Sequence, residues 1–483
     1  MSLGLKRFKQ FTKSFLIYGL ASALARFFGF LLVPVYTRIF SPSDYGTIDI
    51  FNVFIYFVTI FCALEIWGGV SRDYLETESV LIDKQLLIST GFWHIIFLSG
   101  FWCALTYIFS GNILNALSIA DSYRELYIYT LLIIPFATLF SYFNVLMRFE
   151  KKPWLFFAGI FIQLAASTLV SLYTILILKK GVIGFFYGQF AGNFLGTIFF
   201  IFVQREYLRF RISFLILKKL LHFSLPIVPA VIAVWLNSYS NRFVMLKYLS
   251  LHDIGVYAVA LKVASIFLFL EYAFRLAWTP LLYEIIKSDD YQHQLNRIYK
   301  LLLKIILLLF CSVAIFSKEI IDILAPSEYS DAASIAALLC IPVLVLILNL
   351  IVGSSPSVAR KTIYDTIAQI AGFTVNISTM FFTIPQWGLF GAALSYLAGS
   401  LITFSFYFYY SRKLISFHLP VIKSVLFFII IISFALIFGN IEMQIILKII
   451  LFLTSATGFL FFELFKDKDF LTIASYLRIK AGM

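Results

Sequence analysis

The sequence has little charge. Asp, Glu, Lys and Arg make up 13% of its 483 residues, whereas 61% are apolar and the mean hydropathy is +0.94. Polar side chains are too few to cover a soluble globule of this length, so the composition predicts an integral membrane protein. Cysteine is also scarce, and the scattered positions of the four cysteines exclude a disulfide framework or a metal cluster. They are Cys62, Cys103, Cys311 and Cys340.

Long apolar segments separated by polar breaks are abundant, and each is long enough to cross a bilayer, which takes roughly 20 residues. Backbone in lipid must satisfy its own hydrogen bonds, so runs of this length are helices rather than strands. The fourteen predicted spans are 15–37, 46–70, 86–109, 124–147, 153–178, 181–203, 222–247, 254–284, 299–316, 332–353, 362–384, 388–410, 421–439 and 445–464. The first is a span rather than a signal peptide, because its apolar run continues past the cleavage-like Ala21-Ser22-Ala23 to Tyr36.

The distribution of Lys and Arg orients these spans, because positively charged loops stay in the cytoplasm. With the N-terminus inside, cytoplasmic segments hold 27 of the 38 basic residues. Only six lie outside, namely Arg38, Lys179, Lys180, Lys247, Lys318 and Lys448. The net charge of +13 therefore mostly reflects the basic residues that set the topology, and it indicates no nucleic-acid partner. We expect a multi-pass membrane protein with both termini in the cytoplasm.

The sequence repeats itself. TRIFSPSDYG (37–46) returns as MLKYLSLHDIGVY (245–257), and an offset of 209 relates Ser41 to Ser250, Asp44 to Asp253 and Gly46 to Gly255. Near the end of each copy, GVIGFFYGQFAG (181–192) matches GLFGAALSYLAG (388–399) at offset 207. A common register over so many positions indicates a duplication of six spans.

Because six is an even number, the two copies enter the membrane in the same direction and are parallel repeats. We therefore predict a six-helix bundle over 1–203, a second over 204–410, and two extra helices with a cytoplasmic tail over 411–483. The repeated stretch is an external hairpin, in which Asp caps the second helix and Gly permits a tight turn. Prolines in the leading helix of each copy, Pro34, Pro226 and Pro229, favour an alternating-access transporter.

Three runs resemble the polysaccharide-transport branch of the MOP flippase superfamily, to which Wzx-type O-antigen flippases belong. They are RFFGFLLVPVYTRIFSPSDYGTIDI (26–50), LPIVPAVIAVWLNSYSNRFVMLKYLSLHDIGVYAVA (225–260) and AWTPLLYE (277–284). The resemblance implies an all-α polytopic protein of about fourteen helices in two V-arranged bundles. It also implies that the cargo is an undecaprenyl-diphosphate-linked oligosaccharide, moved from the cytoplasmic to the periplasmic leaflet for surface polysaccharide biosynthesis.

Charged residues within the spans are costly and indicate function or pairing. A guanidinium can bind a diphosphate bidentately, and the predicted substrate-binding residues are Arg26, Arg275, Lys262 and Arg242. Related flippases place cations of helices one, two and eight in a central cavity, a pattern that Arg26 matches in helix one. Helix two offers Glu65 and Asp49 instead. The alternatives are snorkelling for Arg242, Lys262 and Asp49, and mutual neutralisation for Glu271 and Arg275, which are spaced i, i+4.

Transport needs an energy source, and the sequence has no phosphate-binding G-x-x-x-x-G-K-[ST] loop. The predicted ion-coupling residues are Glu65, Glu271 and Asp49, which would carry H+ or Na+, and no other cofactor is expected. No catalytic constellation is present, so we predict a transporter and not an enzyme. The rival functions are a MATE-like multidrug or cation antiporter, a flippase for a peptidoglycan or teichoic-acid precursor, and a membrane scaffold. Expected partners are membrane lipids and a polysaccharide polymerase complex, and we expect a monomer.

Overall fold

The computed structural model describes residues 19, 27–76, 81–116, 123–359, 361, 363–415, 419–438 and 444–461. Over these residues the regular structure is helical and contains no strand, which confirms the predicted all-α class. The helices are α1 (Val33–Ile39), α2 (Pro42–Ala63), α3 (Ile66–Glu76), α4 (Leu81–Ile108), α5 (Ser110–Ala116), α6 (Arg124–Phe149), α7 (Pro153–Leu172), α8 (Val182–Val203), α9 (Phe214–Ser224), α10 (Val228–Tyr248), α11 (Leu251–Ala264), α12 (Phe267–Ile285), α13 (Tyr291–Ile315), α14 (Ser317–Leu324), α15 (Ala332–Val352), α16 (Ser355–Val358), α17 (Ile363–Ile415), α18 (Val421–Phe438) and α19 (Ile445–Phe461).

Each predicted span coincides with helical structure wherever the chain is described. Nine helical stretches of the described chain are long and apolar enough to cross a membrane. One of them, Ile363–Leu414, has the length of two spans and is interrupted at Gly388, whose φ is 53°. Spans one, thirteen and fourteen contain the shorter apolar helices Phe27–Ile39, Lys423–Ile437 and Ile445–Ser455. The fold therefore agrees with the predicted number of about fourteen.

Two predicted spans are each divided into two helices. Span two breaks at Leu64 and Glu65, which have φ values of 45° and 56°, between α2 and α3. Span eight breaks at Ser265 and Ile266, between α11 and α12. An uninterrupted apolar run conceals such breaks, because hydropathy reports burial in lipid and not the backbone angles.

The repeated stretch begins a helix in the same way in both copies. The amide of Asp44 donates to Ser41 Oγ at 3.2 Å, and the amide of Ser41 donates back to Asp44 Oδ2 at 3.2 Å. Ser250 and Asp253 make the same reciprocal pair at 2.9 and 3.3 Å. Both are capping boxes, which satisfy two backbone donors that the first turn leaves without helical partners. The N-cap of α2 is Ser41, and Asp44 completes the box from the first turn of the helix instead of being the cap itself, while the offset of 209 holds for both pairs.

The glycine of the stretch has a different role from the predicted one. Gly46 and Gly255 lie inside α2 and α11, where the two helices cross, and neither forms a turn. A Cβ on Gly46 would lie 2.0 Å from the carbonyl oxygen of Leu251, and one on Gly255 would lie 1.8 Å from that of Pro42. The same offset of 209 relates Pro42 to Leu251, so the contact is reciprocal. The prediction of a tight turn was wrong, because the residue is needed for close backbone approach.

Backbone contacts divide the chain into two compact units, Met1–Ala258 and Val259–Met483. The first unit contains the described helices of the first copy together with α9, α10 and the first half of α11. The second contains the later helices. The domain boundaries predicted from the duplication follow a different criterion and stay a prediction.

Aromatic side chains fill the core of the first unit. Tyr142, Phe143 and Phe200 are completely buried, and the Tyr142 hydroxyl donates to the carbonyl oxygen of Ile88 at 2.9 Å. Leu220 of α9 packs into the same cluster. This core ties α3, α4, α6, α8 and α9 together at the end that the charge distribution predicts to be cytoplasmic.

Candidate functional site

Arg242 and Asp49 form a buried ion pair within the first unit. Arg242 Nε donates to Asp49 Oδ2 at 3.0 Å, and the two side chains are 6% and 22% exposed. The same guanidinium donates to the Asn241 side chain at 2.8 Å and lies 5.3 Å from the centre of the Tyr257 ring. Arg242 therefore does not snorkel, and the pair neutralises both charges inside the membrane segment. The predicted roles in substrate binding and ion coupling stay predictions.

Glu271 and Arg275 pair along one turn of α12, as their spacing indicates. Arg275 Nε donates to Glu271 Oε1 at 2.6 Å. The carboxylate is 8% exposed, whereas the arginine side chain is 58% exposed, so the guanidinium remains accessible beside the carboxylate it compensates. Lys262 is exposed near the end of α11. The substrate-binding roles of Arg275 and Lys262 remain predictions.

Arg26, the remaining predicted substrate ligand, lies outside the described residues. Glu65, the remaining predicted coupling residue, lies at the break between α2 and α3 and is half-buried. The indole of Trp67 donates to Glu65 Oε2 at 2.6 Å. Among the residues that the structure describes, no basic side chain forms an ion pair with Glu65, in contrast to Asp49 and Glu271.

A cleft of about 620 Å³ lies at the predicted cytoplasmic end of the first unit. It is bounded by the end of span two, the end of span four and the last turn of α9. The lining side chains are mostly apolar, with two arginines among them. The residues are Trp67, Gly68, Ser71, Arg72, Val145, Arg148, Phe149 and Phe223.

The side chains at this first cleft carry a net positive charge. Arg72 Nη2 lies 2.7 Å from Asp73 Oδ1, and Lys219 Nζ lies 2.9 Å from Asp73 Oδ2. One buried carboxylate is thus shared by two cations, and Arg148 adds a third positive charge on an exposed side chain. The Arg72 guanidinium also covers the Phe223 ring at 4.3 Å. Near an opposite charge and an aromatic face an arginine is held in place, so the cleft presents oriented donors.

Tyr74, outside the predicted spans, adds no negative charge near the first cleft. Burial, and after it the nearby Glu150 carboxylate, raises the pKa of its phenol to about 12. The Lys84 ammonium lies 4.6 Å from the centre of the ring. Glu150 is itself paired with Lys152 at 2.6 Å. The arginines therefore determine the sign of the charge at this end of the unit.

A second cleft of about 390 Å³ lies at the predicted cytoplasmic end of the second unit, between α12, α15 and both ends of α17. It is more polar than the first. Tyr407 donates to Asp365, and Gln369 Nε2 donates to the Tyr407 hydroxyl at 3.0 Å. Trp278 Nε1 and Asn349 Oδ1 are buried without a hydrogen-bond partner among the described residues. Arg275 also lines this cleft.

The duplication relates the two clefts. The first lies between the ends of spans two and four, and the second lies between the ends of spans eight and ten, which are their counterparts in the second copy. Each contains an exposed arginine and a tryptophan. Arg72 and Arg148 are not among the site residues predicted from the sequence, because each has the pattern of a loop cation that sets the topology. The signal that was available is the adjacent Arg72-Asp73 pair directly after an apolar span.

The described residues define a polytopic, all-helical membrane-protein fold. A family model described as "Polysaccharide biosynthesis protein" matches residues 35–334, more than half of the chain. The chain belongs to this family. A search of proteins with curated function returned no match.

Solved structures share the fold. The chain is similar to the lipid II flippase MurJ in an inward closed conformation, with a TM-score of 0.70 and 15% identity over 92% of this chain and 98% of that one. It is also similar to an inward-facing multidrug-resistance MATE transporter of the MOP superfamily, with a TM-score of 0.66 and 14% identity over 83% and 94%. A third is the MATE transporter VcmN of Vibrio cholerae, with a TM-score of 0.55 and 15% identity over 85% and 97%. The predicted class, a MOP-superfamily flippase or transporter and not an enzyme, is confirmed.

Proposed function

We propose that this protein is a flippase that moves an undecaprenyl-diphosphate-linked oligosaccharide from the cytoplasmic to the periplasmic leaflet by alternating access. The proposal includes location in the bacterial inner membrane with both termini in the cytoplasm. It also includes function as a monomer beside a polysaccharide polymerase complex. Membership of a polysaccharide biosynthesis family supports a glycan cargo. The first cleft supports a diphosphate head group.

The observation that supports a diphosphate head group most directly is the pair of arginines in the first cleft. A diphosphate has several negative oxygens, and guanidinium groups can bind such oxygens bidentately. Arg72 is oriented by Asp73 and the Phe223 ring, and Arg148 is exposed beside it. The aromatic faces of Trp67 and Phe223 offer flat apolar surfaces of the kind on which sugar rings stack. An anionic head group with an attached glycan fits this chemistry.

The carboxylates disfavour the rival exporter of cationic drugs. Such an exporter needs acidic side chains that are available to a cation within the membrane segments. Within the described segments, Asp49 is compensated by Arg242 and Glu271 by Arg275, so two of the three predicted coupling carboxylates are neutralised. Glu65, which accepts a hydrogen bond from Trp67, is the third and has no ion pair there. A peptidoglycan or teichoic-acid precursor has the same head-group chemistry as the proposed cargo, so the glycan is what distinguishes these flippases.

Binding tests this proposal. Purified protein is offered undecaprenyl diphosphate and a tail-matched neutral lipid, and retention of each is measured by native mass spectrometry. A hydrogen bond to a charged group contributes about 1.5 to 3 kcal/mol, so Arg148→Gln should weaken diphosphate retention by about tenfold to a hundredfold. Arg412→Gln, which removes an exposed cation from the same predicted side, should leave it unchanged.

Arg26→Ala is the second informative variant, because Arg26 is predicted to lie deep in helix one. If it is also a head-group ligand, selective retention of the diphosphate lipid is lost. Equal retention by the parent, Arg148→Gln and Arg26→Ala would contradict the proposed head-group site and favour the exporter or scaffold. Glu65→Gln then tests ion coupling: flipping of a fluorescent diphosphate-linked glycan in proteoliposomes should lose its dependence on a proton or sodium gradient.

A further inference from the structure

The segment that connects the two repeats is fixed along the surface of α4. We call residues 205–217 the linker strap. Five hydrogen bonds fix its path over the helix. In three of them a side chain of α4 donates to a backbone carbonyl oxygen of the strap: Gln85 Nε2 to Glu206 at 2.8 Å, Ser89 Oγ to Tyr207 at 2.7 Å, and Trp93 Nε1 to Arg209 at 2.9 Å. In the other two a backbone amide of the strap donates to a hydroxyl of α4: Arg209 to Ser89 Oγ at 2.7 Å, and Ser213 to Thr90 Oγ1 at 3.2 Å. Strap backbone makes all five bonds. Of the strap side chains, Tyr207, Leu208, Ile216 and Leu217 pack against the core of the first unit, whereas others are exposed.

Three large apolar side chains of the linker strap have little protein cover, although the centre of the Phe210 ring lies 4.3 Å from that of the Trp93 ring. Phe210 is 90% exposed, Phe214 is 81% exposed and Leu215 is 82% exposed. Three such side chains within six residues would form an unfavourable patch in water. They suit the boundary between head groups and acyl chains, where an amphipathic segment buries its apolar side chains in lipid.

The depth of the strap agrees with this boundary. Its hydrogen-bond partners on α4 run from Gln85 to Trp93, which is about 12 Å along the helix axis at 1.5 Å per residue. The span of α4 is predicted to begin at residue 86. The strap therefore descends from the helix end toward the hydrocarbon region. The head-group and interfacial layer on each side is about 5 to 7 Å thick, so the strap crosses it.

A groove of about 340 Å³ opens between the strap and α4. Phe97 and Phe101 form its wall on α4, and Ile212 and Phe214 form its wall on the strap. The one polar side chain in the lining is His94, whose Nε2 is buried and has no hydrogen-bond partner among the described residues. An apolar channel with one unsatisfied polar atom matches an acyl chain whose ester oxygen lies at that atom.

The strap is also positively charged. Arg209 and Arg211 of the strap and the adjacent Lys218 are exposed, and none of them forms an ion pair with another described residue. The one acidic residue of the strap is Glu206. Arg211 is next in sequence to Ile212, which lines the groove. The carbonyl oxygen of Arg209 accepts a hydrogen bond from Trp93, which is next in sequence to His94. Positive charge therefore lies at the head-group end of the groove.

We propose that the linker strap and α4 form a binding site for one anionic phospholipid of the cytoplasmic leaflet. Its phosphate binds Arg209 and Arg211, an ester carbonyl accepts a hydrogen bond from His94, and an acyl chain fills the groove. The site is distinct from the clefts described above and does not depend on the proposed cargo. A bound lipid would complete the surface of the connection between the repeats.

The decisive experiment uses the purified full-length protein, stripped of lipid in detergent and then offered phosphatidylglycerol or phosphatidylcholine. Each basic residue near an anionic lipid surface contributes about fivefold in affinity, so Arg209→Ala/Arg211→Ala should lower phosphatidylglycerol retention by about 25-fold. Retention of phosphatidylcholine should not change. The matched control, Arg412→Ala/Lys413→Ala, removes two exposed cations on the same predicted side and should retain the lipid as the parent does. Equal retention by both double variants would overturn the proposal.

Further variants and competing ligands identify which part of the lipid is bound. Ile212→Trp fills the groove from the exposed strap and should lower retention of phosphatidylglycerol, while glycerophosphoglycerol, which has no acyl chains, should not compete. Competition by the chain-free head group or by inorganic phosphate would show a simple anion site and contradict the groove. His94→Phe should abolish any preference for ester-linked over ether-linked lipid. Stronger retention of undecaprenyl diphosphate than of phosphatidylglycerol at this site, lost in Arg209→Ala/Arg211→Ala, would reassign it to the cargo and overturn the proposal.

Discussion

Replacing Gly255 by Ala should destabilise the protein. A Cβ at this position would lie 1.8 Å from the carbonyl oxygen of Pro42, and real contacts of this kind are essentially never shorter than 3.0 Å. The two helices would have to separate by at least about 1.2 Å, and a backbone carbonyl cannot rotate away as a side chain can. Overpacking of this kind costs about 1 to 3 kcal/mol. Ala gains about 1 kcal/mol over Gly in helix propensity, so the expected net loss is about 0 to 2 kcal/mol, and relative to a Gly→Ala change without a clash it is about 1 to 3 kcal/mol.

The assay is unfolding in mixed micelles of increasing SDS content, followed by tryptophan fluorescence. Gly100→Ala is the matched control, because a Cβ on this helical glycine meets nothing within 4 Å, and this variant should be as stable as the parent or slightly more so. Gly46→Ala should resemble Gly255→Ala. The double variant should lose less than the sum, since one separation of the helices relieves both clashes. A Gly255→Ala protein as stable as Gly100→Ala would refute the close contact.

Two further changes test the buried ion pairs in the same assay. Arg242→Met leaves Asp49 as an uncompensated charge in a membrane segment and should cost about 3 to 5 kcal/mol, of which Arg242→Met/Asp49→Asn should recover a large part. If the single and double variants are equally unstable, packing of the guanidinium and not its charge is responsible. Lys448→Met removes the partner of Glu319, which lies 2.9 Å away but is 29% exposed. Water can partly solvate that carboxylate, so the loss should be smaller than for Arg242→Met, and a larger loss would contradict this reasoning.

Local patterns predicted local structure well. Hydropathy located the spans, and the offset of 209 located the second capping box, because both depend on residues close together in the chain. The pair of Glu271 and Arg275 follows from helical spacing alone. The pair of Arg242 and Asp49 does not, since the two residues are 193 positions apart and only the fold brings them together. Snorkelling was a reasonable expectation for each residue considered separately.

The candidate site was harder to predict for a related reason. Arg72 and Arg148 lie in predicted cytoplasmic segments, and the topology explains basic residues there without any further role. Their shared cleft depends on how the ends of spans two and four pack, which the sequence pattern does not contain. Likewise, Gly46 has the same neighbours in sequence whether it forms a turn or a helix crossing. Only the carbonyl of Leu251 beside it decides between them.

The contact between Gly46 and Gly255 has a consequence for the history of the chain. Gly46 of the first copy lies against the carbonyl of Leu251, and Gly255 of the second copy lies against the carbonyl of Pro42. Pro42 and Leu251 are equivalent positions of the two copies. A surface that matches itself in this way is what an isologous homodimer has. Two molecules of a six-helix ancestor could have met through the same patch before the gene duplicated and fused. In such a dimer one substitution would have changed both glycines of the contact. In the fused chain each glycine can be substituted separately, although each still lies against a carbonyl.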